Sequence, residues 1–309
     1  MFETFKILFA QSLMLFVFIA IGYGFRKSEK LPAGFNKGLS NLLVYIFLPF
    51  LIFDSMAENF RLEIMRDKLG ILALATALMA AFFVLALIFS RVFAREQRTR
   101  DVYMYSFLFP NSGYIGTPLV LLSFGELMLF DFIIMTIPFM ILTYTYGVYI
   151  LNPNRKFNLR SILCPAMIAL LLGMAAGLLN LRIPDALQSI LDTGSACMAP
   201  AAMILTGVVF AQNDLKTIVS NPRVYLAVAI KIVLIPLIVV WALTALKVPY
   251  GIAALLITMV ALPTGLNSIV YPEAYGGDSR TGAQLCFVST LTSLLCLPLI
   301  FAFYAFLGA

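Results

Sequence analysis

Along the chain, long apolar runs alternate with short breaks in which charged residues, Gly, Pro and Asn collect. A helix rising about 1.5 Å per residue needs roughly 20 apolar residues to cross a bilayer core. Runs near that length predict spans at Phe5–Phe25, Leu39–Met56, Leu69–Ser90, Val102–Phe124, Leu127–Leu151, Ser161–Asn180, Ala186–Ala211, Val224–Leu246, Gly251–Tyr275 and Thr281–Leu307. The expected fold is therefore an all-α polytopic membrane protein with ten transmembrane helices.

The spacing of the breaks predicts more than a count. Gly22 and Gly173, near the ends of spans one and six, are 151 residues apart, as are Pro49 and Pro200 in spans two and seven. Pro110 and Pro263, in spans four and nine, differ by 153. Five spans per copy is an odd number, so the second copy enters the membrane from the opposite face. That is the inverted-repeat plan of secondary transporters. The expected organisation is a first five-helix repeat at 1–151, a cytoplasmic linker at 152–160 and a second repeat at 161–309.

Two spans carry polar breaks in their middle. Span four contains Phe109-Pro-Asn-Ser-Gly-Tyr-Ile-Gly-Thr-Pro118, and span nine contains Leu262-Pro-Thr-Gly-Leu-Asn-Ser-Ile-Val270. Proline removes an amide donor and clashes with the preceding turn, while glycine lets the chain leave helical angles. Both spans should unwind near mid-membrane, which hydrocarbon tolerates only where protein or water satisfies the exposed peptide groups. The second half-helices then begin inside the membrane, with free amides and positive dipole ends suited to an anion. Asn111 and Asn267 are the leading substrate contacts; Ser112, Gly113, Thr117, Thr264 and Ser268 follow, with Pro110, Pro263 and Gly265 shaping the crossover. The plainer alternative is a pair of proline kinks used for helix packing.

Charge adds orientation and one more candidate. The formal charge is +6, from 21 basic and 15 acidic residues. Fourteen of those 21 fall in the odd-numbered loops, six on the opposite side, and Lys231 within span eight. The positive-inside rule then puts the odd loops in the cytoplasm and both termini outside it, in what would be a bacterial inner membrane. This distribution accounts for the basic balance without nucleic acid. Lys231 is an intramembrane ionisable group, a gating element or a structural counter-charge. Asp54 and Glu58 read as interfacial, Asp131 lies near the start of span five, and Asp192 reads as deeper, paired with a helix or a polar group. Tyr103, Tyr105 and Tyr114 are candidates to line a path, although helical aromatic stripes usually pack.

Composition excludes whole classes. Hydrophobic residues make up 62% of the chain and charged residues 12%, which removes soluble folds. The N-terminal run lacks a basic leader and a cleavage site, so it reads as a retained span. With no histidine in the chain, Ser–His catalysis, His-based zinc sites and His proton relays are excluded. The cysteines, Cys164, Cys197, Cys286 and Cys296, lack C-x-x-C spacing and read as packing. Gly276-Gly277-Asp278 has the wrong spacing for a membrane aspartyl protease, so the chain is not expected to be an enzyme. No cofactor or metal is called for. A coupling ion, H+ or Na+, stays open, as do a channel or sensor on the same fold.

At these residues the sequence resembles the auxin efflux carrier family of plant auxin carriers and bacterial carboxylate permeases. The resemblance rests on Asn111-Ser-Gly-Tyr-Ile-Gly-Thr-Pro118, Ile230-Lys-Ile-Val-Leu-Ile-Pro236, Pro263-Thr-Gly-Leu-Asn-Ser268 and Tyr275-Gly-Gly-Asp-Ser-Arg-Thr-Gly282. It implies a crossed-helix fold shared distantly with bile-acid/sodium symporters and sodium/proton antiporters. Spans one, two, six and seven would form a scaffold, and spans three to five and eight to ten a core that moves as an elevator. Asn111 and Asn267 would flank the substrate. The long cytoplasmic loop of plant carriers is missing, which favours a small carboxylate such as malonate, malate or lactate over an auxin-like aromatic acid. A homodimer through the scaffold is compatible with the resemblance.

Overall fold

The computed structural model describes residues 2–32, 34–153, 162–212 and 214–307. The expected linker at 152–160 lies outside the described residues from position 154 onward. The elements are α1 (Phe2–Lys27), α2 (Phe35–Asn59), α3 (Leu62–Phe93), α4 (Gln97–Leu108), α5 (Ser112–Phe124) and α6 (Glu126–Leu151). Then come α7 (Pro165–Leu178), α8 (Asp185–Ala211), α9 (Pro222–Ala245), α10 (Tyr250–Ala261), α11 (Asn267–Tyr275) and α12 (Ser279–Phe306). The chain is an all-helical, multi-pass membrane protein.

Among the described residues seven helices, α1, α2, α3, α6, α8, α9 and α12, are long and apolar enough to cross a bilayer. The predicted spans four and nine are each divided in two, into α4 and α5 and into α10 and α11. The predicted sixth span is α7, which begins at Pro165, a residue suited to the first turn because its missing N–H has no helical partner there. Phe9, Leu13, Trp241 and Leu295 are each more than half exposed on the outer face. Water would penalise that surface, whereas lipid tails accept it.

Two tight helix pairs organise one part of the molecule. The Met198–Ala211 half of α8 packs along α1, and the Leu48–Asn59 half of α2 packs along α7. Close approach in both depends on missing side chains. A Cβ on Gly22 would lie 2.2 Å from the Ile204 carbonyl oxygen, and one on Gly207 2.0 Å from that of Ile19. In the second pair, a Cβ on Gly173 would meet the Phe53 oxygen at 2.7 Å, and one on Gly177 the Phe60 oxygen at 2.4 Å. Small residues of this kind let membrane helices gain dispersion contact where no hydrophobic force drives them together. Arg61 adds to the second pair by donating to the carbonyls of Ala57, Phe60 and Gly177.

The remaining helices form two groups, α3 with α4 and α6, and α9 with α10 and α12. Gly125, at φ +82°, turns α5 directly into α6, a conformation that suits glycine. Lys68 of α3 and Asp131 of α6 form an ion pair at 2.5 Å, each about one-fifth to one-quarter exposed. Such a partly solvated pair contributes about 1 kcal/mol or less. Lys68→Met is expected to lower the melting temperature in detergent by no more than about 4 °C. A larger drop would show that the pair holds the group together.

Candidate functional site

The two broken helices meet. Phe109 precedes Pro110 and Leu262 precedes Pro263, and the proline ring disfavours helical angles at the residue before it. Both residues are extended, at φ −114°, ψ 101° for Phe109 and φ −66°, ψ 143° for Leu262. The extended segments pair as a short antiparallel bridge between Pro110 and Thr264. The Asn111 N–H donates to the Pro263 carbonyl at 2.8 Å. Each break thus supplies partners for backbone groups that the other has lost, which is the condition for irregular backbone at membrane depth.

Helix α12 and Lys231 add further partners at the breaks. The Thr264 N–H donates to Ser289 Oγ at 3.0 Å, and Cys286 Sγ donates to the Thr264 carbonyl at 3.5 Å. Ser293 Oγ donates to the Ala261 carbonyl at the end of α10, at 2.6 Å. Residues 286, 289 and 293 recur at helical spacing, so one face of α12 serves the break (its apolar context hides this stripe). Gly282, one turn earlier on α12, lies directly against the Ser268 carbonyl of α11. Lys231, buried in α9, donates to the Ser106 carbonyl and to Thr264 Oγ1 at 3.4 Å. The hydroxyls of Ser106 and Thr264 are 2.6 Å apart.

Past the first break, Asn111 caps the start of α5. Its Oδ1 accepts from the Tyr114 N–H at 3.3 Å, and the first turn, Ser112–Gly116, is a wide π turn. The other end of the same amide is different. Asn111 is 4% exposed, and among the described residues its Nδ2 has no hydrogen-bond partner. A buried amide donor without an acceptor costs about 1–3 kcal/mol, so this group is poised for a ligand acceptor. Asn267, half-buried at the start of α11, has its side chain beside the Tyr105 hydroxyl.

The other sequence candidates divide. Ser112 and Gly113 are half-buried beside Asn111 in the π turn. The Thr117 hydroxyl donates to its own helix at Gly113 O, 2.5 Å, and Ser268 Oγ to Gly265 O, 2.8 Å. The Thr264 hydroxyl is engaged with Ser106 and Lys231. Gly265 has open room, since an added Cβ would come no nearer than 3.7 Å to Tyr105. Tyr103 stacks on Phe93, and Tyr105 packs on Phe109. Asp54 and Asp192 both accept from Gln188 Nε2, at 2.7 and 2.9 Å, and Asp192 is exposed. Asp54 of α2 and Asp192 of α8 therefore share one partner, Gln188 of α8.

A cleft of about 860 Å³ opens between the paired helices and the group containing the break. Phe50, Phe53, Cys164 and Ile168 line one wall, and Tyr144 and Tyr271 belong to the other. The phenols of Tyr271, Tyr114 and Tyr105 all lie within electrostatic range of Tyr144. Sequence alone does not single out Tyr144 and Tyr271, because single tyrosines in apolar spans look like packing. The pattern of tyrosines on spans four, five and nine is the signal that joins them.

The sequence pattern of the family described as membrane transport protein matches residues 7–157 and 149–301. A protein of Rhizobium meliloti (strain 1021), named "Putative malonate transporter", is 26% identical over 302 residues, covering 91% of each chain.

Proposed function

The chain belongs to the membrane transport protein family of the auxin efflux carriers, and from that membership we propose that it is a secondary carrier of a small organic anion. It is a transporter and not an enzyme. The substrate class proposed is a carboxylate such as malonate, malate or lactate. The observation that carries this reading is the buried Asn111 Nδ2, without a hydrogen-bond partner among the described residues, at the meeting of two broken helices. The N-terminal ends of α5 and α11 begin there, and their positive dipole ends favour an anion. Asn267, Ser112 and Gly113 complete the proposed contact surface, and the name of the Rhizobium relative agrees with a small dicarboxylate.

In this reading the chain has ten spans in two inverted repeats, with α4–α5 as the fourth, α7 as the sixth and α10–α11 as the ninth. Helices α1, α2, α7 and α8 are the scaffold, and α3–α6 with α9–α12 are the moving core of an elevator. The pairing of α1 with α8 and of α2 with α7 supports this, because exchanging the repeats converts one pair into the other. Gly22 and Gly173, 151 positions apart, make equivalent close approaches in those pairs. With both termini outside the cytoplasm, Tyr144, Cys164 and Tyr271 lie towards the cytoplasmic ends of their spans. The cleft they line then corresponds to an inward-open state.

A second reading, a carboxylate with an aromatic body, is favoured by the phenols and phenylalanines of the cleft. Solute counterflow in proteoliposomes separates the two. Accumulation of labelled malonate or malate, blocked by unlabelled dicarboxylate, is the expected result. Block only by an aromatic acetate would move the substrate to the second reading. Absence of counterflow with every carboxylate tried would reject the carrier and leave a channel or sensor.

A further inference from the structure

Four half-helix ends converge at the crossing. Two are positive, the starts of α5 and α11, and two are negative, the ends of α4 and α10. The last carbonyls of a helix lack intrahelical partners and concentrate about half a negative charge. The two negative ends are closed in different ways. At α10 a neutral hydroxyl, Ser293, donates to Ala261 O. At α4 the closing donor is the side-chain nitrogen of Lys231, on the Ser106 carbonyl.

Lys231 is only 4% exposed, and its partners are a carbonyl and a hydroxyl rather than a carboxylate. It reaches them from a π turn at Ala229–Leu234, where one extra residue per turn swings the side chain away from ordinary helical register. Carbonyl and hydroxyl oxygens at the end of a broken helix are the ligands such carriers offer to a mobile coupling cation. Here a side chain of the protein occupies that position.

We propose that Lys231 is a tethered cation: its side-chain nitrogen fills the place that a mobile metal cation would take at the end of α4, so the carrier works without sodium. The inference rests on the carrier reading given above. Lys231 is a positioning residue in this account. It acts through Ser106 and Thr264, holding the bridge between Pro110 and Thr264 and offsetting the charge brought in by an anion.

The test uses the full-length protein in chloride salts of sodium, lithium or N-methyl-D-glucamine at equal ionic strength. For the wild type, the melting temperature in detergent and labelled-malonate counterflow should be the same in all three. In Lys231→Ala, counterflow in N-methyl-D-glucamine should fall about tenfold or more, the scale of a lost charge-assisted hydrogen bond. Sodium or lithium should then restore it several-fold and raise the melting temperature. Lys231→Arg should remain indifferent to the cation. If alanine prevents expression, Lys231→Met, which keeps most of the side-chain length, carries the same readouts. The proposal is overturned if the wild type is stimulated or stabilised by sodium. It is equally overturned if the uncharged variants respond to neither small cation, whether active or inert. Should the wild type not carry malonate at all, the carrier reading is at fault, and the melting series still decides the cation question.

Discussion

Asn111→Ala is expected to reduce the initial rate of counterflow by about tenfold to a hundredfold while the protein still expresses and folds. The magnitude is that of a buried donor lost from a charged acceptor, about 1.5–3 kcal/mol. Stability should change little because two effects oppose each other. The substitution removes the cap that Oδ1 gives the Tyr114 N–H, worth about 1 kcal/mol. It also removes Nδ2, which is buried without a partner among the described residues, and so relieves a penalty of similar size. Asn267→Ala should also lose transport, by less, because Asn267 is only half-buried. Initial rates in proteoliposomes, with melting curves on the same preparations, check both. Wild-type rates in Asn111→Ala would remove this residue from the binding surface.

The second large effect is expected at Gly282. A Cβ there would lie 1.8 Å from the Ser268 carbonyl oxygen and 2.7 Å from its carbon. These are backbone atoms, so no side-chain rotation can relieve the overlap, and α11 must move away from α12. Gly282→Ala should therefore cost about 3 kcal/mol or more, the upper range for overpacking. Transport should fall with it, since the start of α11 carries Asn267. Gly265→Ala is the control within the same break. Its added methyl has no neighbour closer than 3.7 Å, so near-normal melting is expected. Thermal unfolding of the pair in one detergent tests the contrast, and equal stability of the two variants would refute the close approach of α11 and α12.

The positions of the helix breaks were legible because proline chemistry is local. Pro110 and Pro263 each force the residue before them out of helical angles, whatever else the chain does. The candidate amides could be found for the same reason, as they sit one and four residues past those prolines. The antiparallel bridge from Pro110 to Thr264 could not, since nothing local in one segment specifies its pairing with the other. Ser289 and Ser293 were obscured by apolar neighbours, although their spacing with Cys286 marks one helical face. The role of Gly282 was present only as part of the motif leading into span ten, where the glycine makes room for a carbonyl from another helix. The π turns at Leu43–Phe47, Ser112–Gly116, Thr143–Gly147 and Ala229–Leu234 have no residue signature that distinguishes them from ordinary helix. Lys231 was visible as a charge in an apolar run, but its aim at Ser106 comes from one of those turns.

The bridge also bears on how the protein is made. The acceptor for the Asn111 N–H is the Pro263 carbonyl, and the surface facing Gly22 is supplied by Ile204. At usual translation rates the ribosome takes on the order of ten seconds to travel from the first break to the second. During that interval the early helices are already in the bilayer with an open break and an uncovered glycine face. The N-terminal half is thus no independent folding unit, and the insertion machinery must shelter it until the later helices arrive.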